Sequence, residues 1–298
     1  MSALKAYAAV ARAPFLLLPQ TLVASGAAAA AWDGSFSWSR TVLALVGLVS
    51  LHMAVNIFNE WSDMRSGIDL ATERTPFSGG SGTLPAGGMR PRTALVFGLV
   101  CASVGLAIGV WFLLEVGWVL LPIIIAGAIS VLAYTDVLAR IGVGEMMAGF
   151  GLGAGPVIGA ALIQGGGWST AAAAASVPAF FMTFNLLLLN EFPDEDADRE
   201  GGRRNLVILL GRRPAAWIYA AAGLATPLAI VIAVLLRILP PLSLAAVLPS
   251  LLLVKPLRWA FADPESPVPI PALGANVAWN LATNTVMALT LVIALQLT

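Results

Sequence analysis

The chain has 298 residues, 59% hydrophobic and only 11% charged, and its 16 basic and 16 acidic side chains cancel to zero net charge. An ordinary soluble domain carries about 25% charged residues, so the composition excludes a soluble globular fold, and the lack of a basic excess argues against a nucleic-acid partner. The single cysteine, Cys101, cannot form an intrachain disulfide.

Apolar runs of about 20 residues are long enough to cross the hydrocarbon core as helices. They predict nine spans, at 14–32, 40–58, 93–114, 117–135, 143–163, 170–190, 214–236, 239–256 and 274–296. The expected fold is an all-α membrane bundle, a single transmembrane domain over residues 1–298, with Asp-rich cytoplasmic loops after helices 2 and 6. Lys5, Arg12 and the following SGAAAAAW also have the outline of a cleavable leader; a retained first helix is expected, because multi-pass chains seldom need cleavage.

The second span runs into NEWSD (59–63). His52, Asn56, Asn59 and Asp63 recur at i, i+4, i+7 and i+11, one face of a helix. Such a row is costly in a membrane unless it faces a cavity or a partner. RTPFSGGSG (74–82) follows, a Gly-Ser run able to offer backbone N–H groups to an anion. The fifth span carries Gly151, Gly155 and Gly159, with Gly149 and Gly153 between them, which predicts close helix packing. Glu145 stands at its start, where the helix dipole favours a carboxylate. The sixth span enters NEFPD (190–194), with Asn190, Asp194 and Asp198 at i, i+4 and i+8. In the ninth, Asn276, Asn280 and Asn284 form a ladder suited to interhelical packing.

Cytoplasmic loops hold the excess of Lys and Arg. With the N-terminus inside, fourteen basic residues fall inside and only Arg40 and Arg237 outside. The segments 59–92 and 190–213 then share the cytoplasmic face and hold ten of the sixteen carboxylates. Four spans separate two copies of one motif, which suggests a pseudo-repeat, 1–140 and 141–260, with a ninth helix added.

Carboxylates and Asn carbonyls are hard donors suited to Mg2+, which binds through one or two carboxylates plus substrate phosphates. The expected metal set is Asn59, Glu60, Asp63, Asp69, Asn190, Asp194 and Asp198. Two facing acidic clusters repel, and divalent ions bridging a diphosphate resolve that conflict. Arg65, Arg74, Arg199 and Arg203 are the cations expected on the diphosphate, with 74–82 as a lid. A cation transporter is the competing reading, but its ionisable groups belong near the midplane, whereas these acids gather at one face. A CDP-alcohol phosphotransferase lacks support, since its Asp-Gly-Ala-Arg signature is absent.

NEWSDMRSGID (59–69) and NEFPDEDADREGGRRNL (190–206) resemble the two Asp-rich signatures of the UbiA superfamily of intramembrane prenyltransferases. Gly67 and Asp69 after Asp63, and YTDVLARIGVGE (134–145), are similar to the branch that prenylates 1,4-dihydroxy-2-naphthoate for menaquinone. The resemblance implies a multi-pass protein of the cell (inner) membrane whose site faces the cytoplasm. A polyprenyl diphosphate, held through Mg2+, ionises there, and an aromatic acceptor attacks the cation. Asn59, Asp63, Asp194 and Asp198 match the metal-diphosphate positions. His52, Asn56, Tyr134 and Arg140 are the candidates for the acceptor, with an interhelical hydrogen bond as the other reading of His52. Other acceptors used in the superfamily are 4-hydroxybenzoate, chlorins, haem and glycerol phosphate. Three positions depart from the pattern: Glu60 stands where Asp is usual, Arg203 where Lys is common, and Leu138 where some relatives have the Lys of Tyr-x-x-x-Lys.

Overall fold

The computed structural model describes all residues except 1, 73, 134–136, 166 and 298. The described residues form helices and turns and no strands. After α1 (Ala3–Val10) and a 3-10 turn (Ala13–Leu16), α2 (Leu17–Trp32), α3 (Trp38–Ser66), the short α4 (Ile68–Ala71) and α5 (Pro91–Val116) follow. Next come α6 (Leu121–Leu132), α7 (Gly144–Gly149), a π turn (Phe150–Ala154), α8 (Gly155–Leu162) and α9 (Thr170–Glu200). The chain ends with α10 (Leu206–Leu210), α11 (Arg212–Leu235), a long 3-10 segment (Pro241–Leu253), α12 (Val254–Ala262) and α13 (Ile270–Leu297). Eight of the described helical segments are long and apolar enough to cross a membrane, and Trp118–Leu132, the expected fourth span, is a shorter apolar helix. This is an integral, multi-pass membrane protein.

The motif helices run past their expected ends. No residue breaks α3 until Gly67, which adopts φ 85, left-handed backbone that a side chain disfavours. NEWSD therefore stands on the last turns of a 29-residue helix rather than in a loop. Likewise α9 continues through Pro193 to Glu200. The proline removes one backbone hydrogen bond without ending the helix, so NEFPD is helical too.

Small residues set the packing. The run 28–30 of α2 is buried against α8, α9 and α13, and a Cβ on Gly26 would lie 2.3 Å from the Val157 carbonyl oxygen of α8. The glycines of the fifth span divide their work. Gly149 and Gly153 press on α9, where a Cβ on Gly153 would lie 2.6 Å from the Ala179 carbonyl oxygen. Gly151, Gly155 and Gly159 instead line an apolar cavity. The asparagine ladder of α13 is buried as expected: Asn276 accepts from the Tyr219 hydroxyl (3.0 Å) and donates to the Asn185 carbonyl (3.0 Å).

Candidate active site

The ends of α3 and α9 bring the two acidic motifs to one cavity of about 180 Å³. His52, Asn56, Asn59 and Asp63 line it from α3, Asp69 from α4, and Asn190, Asp194 and Asp198 from α9. Arg203, just beyond α9, stands between the motifs. It donates to Asp198 Oδ1 (2.8 Å), to Asn59 Oδ1 (3.1 Å) and to an Asp63 oxygen. A guanidinium's fixed fork of donors suits such bridging. The repulsion expected between the clusters is thus relieved in part by this chain's own arginine. Asn205 donates to Asp198 Oδ2 (3.0 Å) while its own oxygen caps α10.

Part of the acid set is left without a partner. Asp69 Oδ2, Asn190 Oδ1, Glu191 Oε2 and Asp194 Oδ1 are buried and accept no hydrogen bond. Orphaned buried oxygens are costly, and these are hard donors in a cavity open to a ligand. Among the described residues no three His, Cys, Asp or Glu side chains converge into a metal cage. The set therefore fits Mg2+, which takes one or two carboxylates and fills its remaining positions with water and phosphate. Asp69 holds its proton more tightly than a free carboxyl: burial, then the neighbouring Asp63 and Glu60 carboxylates, push its pKa up to about 7, against the pull of Arg12 and Arg74.

The Gly-Ser loop covers this cluster. Gly79 N–H donates to Asp194 Oδ2 (3.3 Å). Gly80, at φ 72, lies so close to Asp69 that a Cβ there would be 2.7 Å from Oδ1. Phe77, Ser78, Gly79 and Gly80 all line the cavity. Deeper in the bundle, Ser130 and Leu152 border both this cavity and the apolar one of about 350 Å³. A polar head site thus adjoins an apolar slot between α3, α5, α6 and α8.

Several expected residues stand elsewhere. Glu60 is not among the residues lining the cavity; its fully buried carboxylate accepts from Arg12 (3.3 Å) and from the Ser81 backbone and hydroxyl (2.6 Å for the latter). Arg65 is exposed and stacks on Trp61, 4.5 Å from the ring centre. Arg199 is exposed and pairs with Glu195 (2.7 Å). Arg74 is also exposed and reaches back to the Asp69 backbone carbonyl (2.5 Å). Arg140 lies beside Gly202, outside the cavity lining. Helix geometry fixes the direction of Arg65: two residues after Asp63 on α3, it points about 200° round the axis from the Asp63 face. Tyr134 falls outside the described residues. Conversely, Arg12, Glu191 and Asn205 line the cavity unannounced. Asn205 had a signal, as an N-cap residue before the apolar LVILL. Glu145, expected to serve a helix dipole, is buried and accepts from Leu206 N–H (2.6 Å), tying the start of α10 to α7.

The family described as the UbiA prenyltransferase family matches residues 17–270. A 1,4-dihydroxy-2-naphthoate octaprenyltransferase from Bacillus subtilis is 28% identical over 58% of this chain, and the match spans only 55% of that relative. A digeranylgeranylglyceryl phosphate synthase from Natronomonas pharaonis is 29% identical over 84% of this chain and 88% of its own length. Among solved structures, a UbiA homologue from Aeropyrum pernix K1 has a TM-score of 0.72 at 16% identity, covering 94% of this chain and 98% of that one. Another, from Archaeoglobus fulgidus and bound to GPP and Mg2+, has a TM-score of 0.65 at 16% identity, covering 95% and 99%.

Proposed function

We propose, because this chain belongs to the UbiA prenyltransferase family, that it transfers a prenyl group within the membrane from a polyprenyl diphosphate to 1,4-dihydroxy-2-naphthoate, with Mg2+ as cofactor. The observation that carries this reading is the meeting of both acidic motifs, with orphaned oxygens on Asp69, Asn190 and Asp194, beneath a glycine lid and beside an apolar slot. The relative bound to GPP and Mg2+ supports the donor and the ion, and the Bacillus subtilis relative supports the acceptor.

Asn59, Asp63, Asp69, Asn190, Asp194 and Asp198 are the residues that would hold Mg2+ and, through it, the diphosphate. The bound ion supplies positive charge that stabilises the leaving diphosphate as the allylic C–O bond breaks. Arg203 keeps Asp63 and Asp198 aligned across the cleft, and its charge falls on the same developing anion. The lid, through Gly79 and Gly80, closes the head site from water, and the apolar slot takes the tail. His52 and Asn56, on the cavity wall of α3, are placed to orient the acceptor, and His52 to take the ring proton. Positive-inside bias supports a site facing the cytoplasm.

Purified protein with Mg2+, prenyl diphosphates of several lengths and a panel of acceptors tests this directly, with products identified by mass. Prenylated naphthoate, abolished by EDTA, is the expected product. The longer match to the glycerol-lipid synthase favours a second reading, in which glycerol phosphate replaces the naphthoate; product on that acceptor alone would overturn the first.

A further inference from the structure

We propose that Arg12 binds an anionic oxygen group of a substrate, and that Glu60 positions it while anchoring the lid. The inference rests on the prenyl-transfer reading above. Arg12 follows α1 with φ 50 and ψ 54, left-handed backbone uncommon for a residue with a side chain. Two residues one turn apart on α3 hold this turn: Asn56 Nδ2 donates to the Ala11 carbonyl (3.0 Å), and Glu60 Oε1 accepts from Arg12 Nε (3.3 Å). The same buried carboxylate takes the Ser81 N–H and hydroxyl of the lid. One side chain thus clasps the N-terminal segment and the lid together. A buried carboxylate tolerates this position only with such partners.

Arginine has five donors, and Glu60 takes the one on Nε. Among the described residues neither Nη nitrogen makes a hydrogen bond. The side chain is 22% exposed and lines the cavity beside His52 and Asn56. A guanidinium held by Nε presents its paired Nη edge to a planar or tetrahedral oxyanion. Two substrates bring one: the diphosphate, and the carboxylate of the acceptor.

Steady-state kinetics with each substrate varied in turn separates them. Arg12→Ala should raise one KM by about tenfold or more, as for loss of a charged hydrogen bond, and leave the other within about threefold. Whichever KM moves names the substrate. Glu60→Gln should raise the same KM by less, and adding it to Arg12→Ala should raise that KM no further, because Glu60 reaches the bound anion only through Arg12, while loss of its Ser81 contacts reads out in kcat. Arg12→Lys should recover part of the loss, and it stands in for Arg12→Ala if that variant is not recovered folded. Both KM values within twofold of wild type, or effects of Arg12 and Glu60 that multiply in that same KM, would overturn the inference. Should wild-type protein transfer no prenyl group to any acceptor, the functional reading fails separately. Arg12 is then judged by calorimetric binding of inorganic diphosphate and of 1,4-dihydroxy-2-naphthoate. Weaker binding of one in Arg12→Ala retains the inference, and unchanged binding of both ends it.

Discussion

Arg203 is the cation on which the cavity turns. It spans Asp63, Asp198 and Asn59 and so holds two acid-bearing helix ends against their mutual repulsion. Removing one partner of a buried ion pair costs about 3–5 kcal/mol. Arg203→Ala should therefore lower the thermal midpoint in EDTA, and saturating Mg2+ should restore much of it by replacing the lost charge. Turnover should fall by about a hundredfold, and by about tenfold in Arg203→Lys, where charge remains but the fork is lost; equal rates in all three proteins would contradict the bridge. Asp69 makes a pH prediction. Its carboxyl is raised from 3.8 to about 7. Over that interval the native state binds a proton the unfolded state has released, so this group's contribution to stability falls as pH rises from 4 to 7. Metal binding needs the ionised form. Apparent Mg2+ affinity should thus weaken by up to about tenfold per pH unit below 7, and this dependence should flatten in Asp69→Asn. Titrations of Mg2+ at pH 5.5, 6.5 and 7.5 measure it.

At the scale of elements, the lid and the two motif helices decide the chemistry. Gly80 sits against the Asp69 carboxylate in left-handed backbone, so Gly80→Ala meets both a steric clash and an unfavourable φ. It should reduce kcat by about tenfold or more with the thermal midpoint little changed, since the loop contributes little core. Arg74 offers a contrast. It grips the Asp69 backbone from outside the cavity, so Arg74→Ala should cost only about two- to fivefold, through a looser lid rather than a lost transition-state contact. A larger kcat effect in Arg74→Ala than in Gly80→Ala would reverse these assignments. Packing glycines behave differently again. Gly153→Val places a branched side chain on the Ala179 carbonyl of α9. It should lower the thermal midpoint in detergent, whereas Gly159→Ala, which meets only Ile123 at 3.3 Å, should be nearly silent in stability.

For the whole molecule, the proposed orientation places the lid and the end of α9 in the cytoplasm. Cysteines at the exposed Ala86 and Glu200, in a Cys101→Ser background, should react with impermeant reagents only from the cytoplasmic side. Outside labelling of either would refute that orientation. The proposed pseudo-repeat gains an architectural parallel: α3 packs most extensively on α5 and α9 on α11, each motif helix against the next long helix. Co-expression of 1–140 with 141–298 tests whether the halves assemble as complementary units.

Membrane class, helix positions and the two acidic motifs were legible in the chain because hydropathy and helical spacing are local. Solvent transfer selects apolar runs one at a time, and the periodicity at His52, Asn56, Asn59 and Asp63 depends on no distant residue. The role of each cation was not legible. Arg65, Arg74, Arg199 and Arg203 all lie within a few residues of an acidic motif, yet only Arg203 enters the cleft. Which side of a helix end faces the partner helix is settled by packing across the bundle. The same holds for Glu60. Its partners, the Arg12 side chain of the N-terminal turn and Ser81 of the lid, lie 48 and 21 residues away in sequence. A buried carboxylate goes to whichever donors the tertiary structure brings within reach.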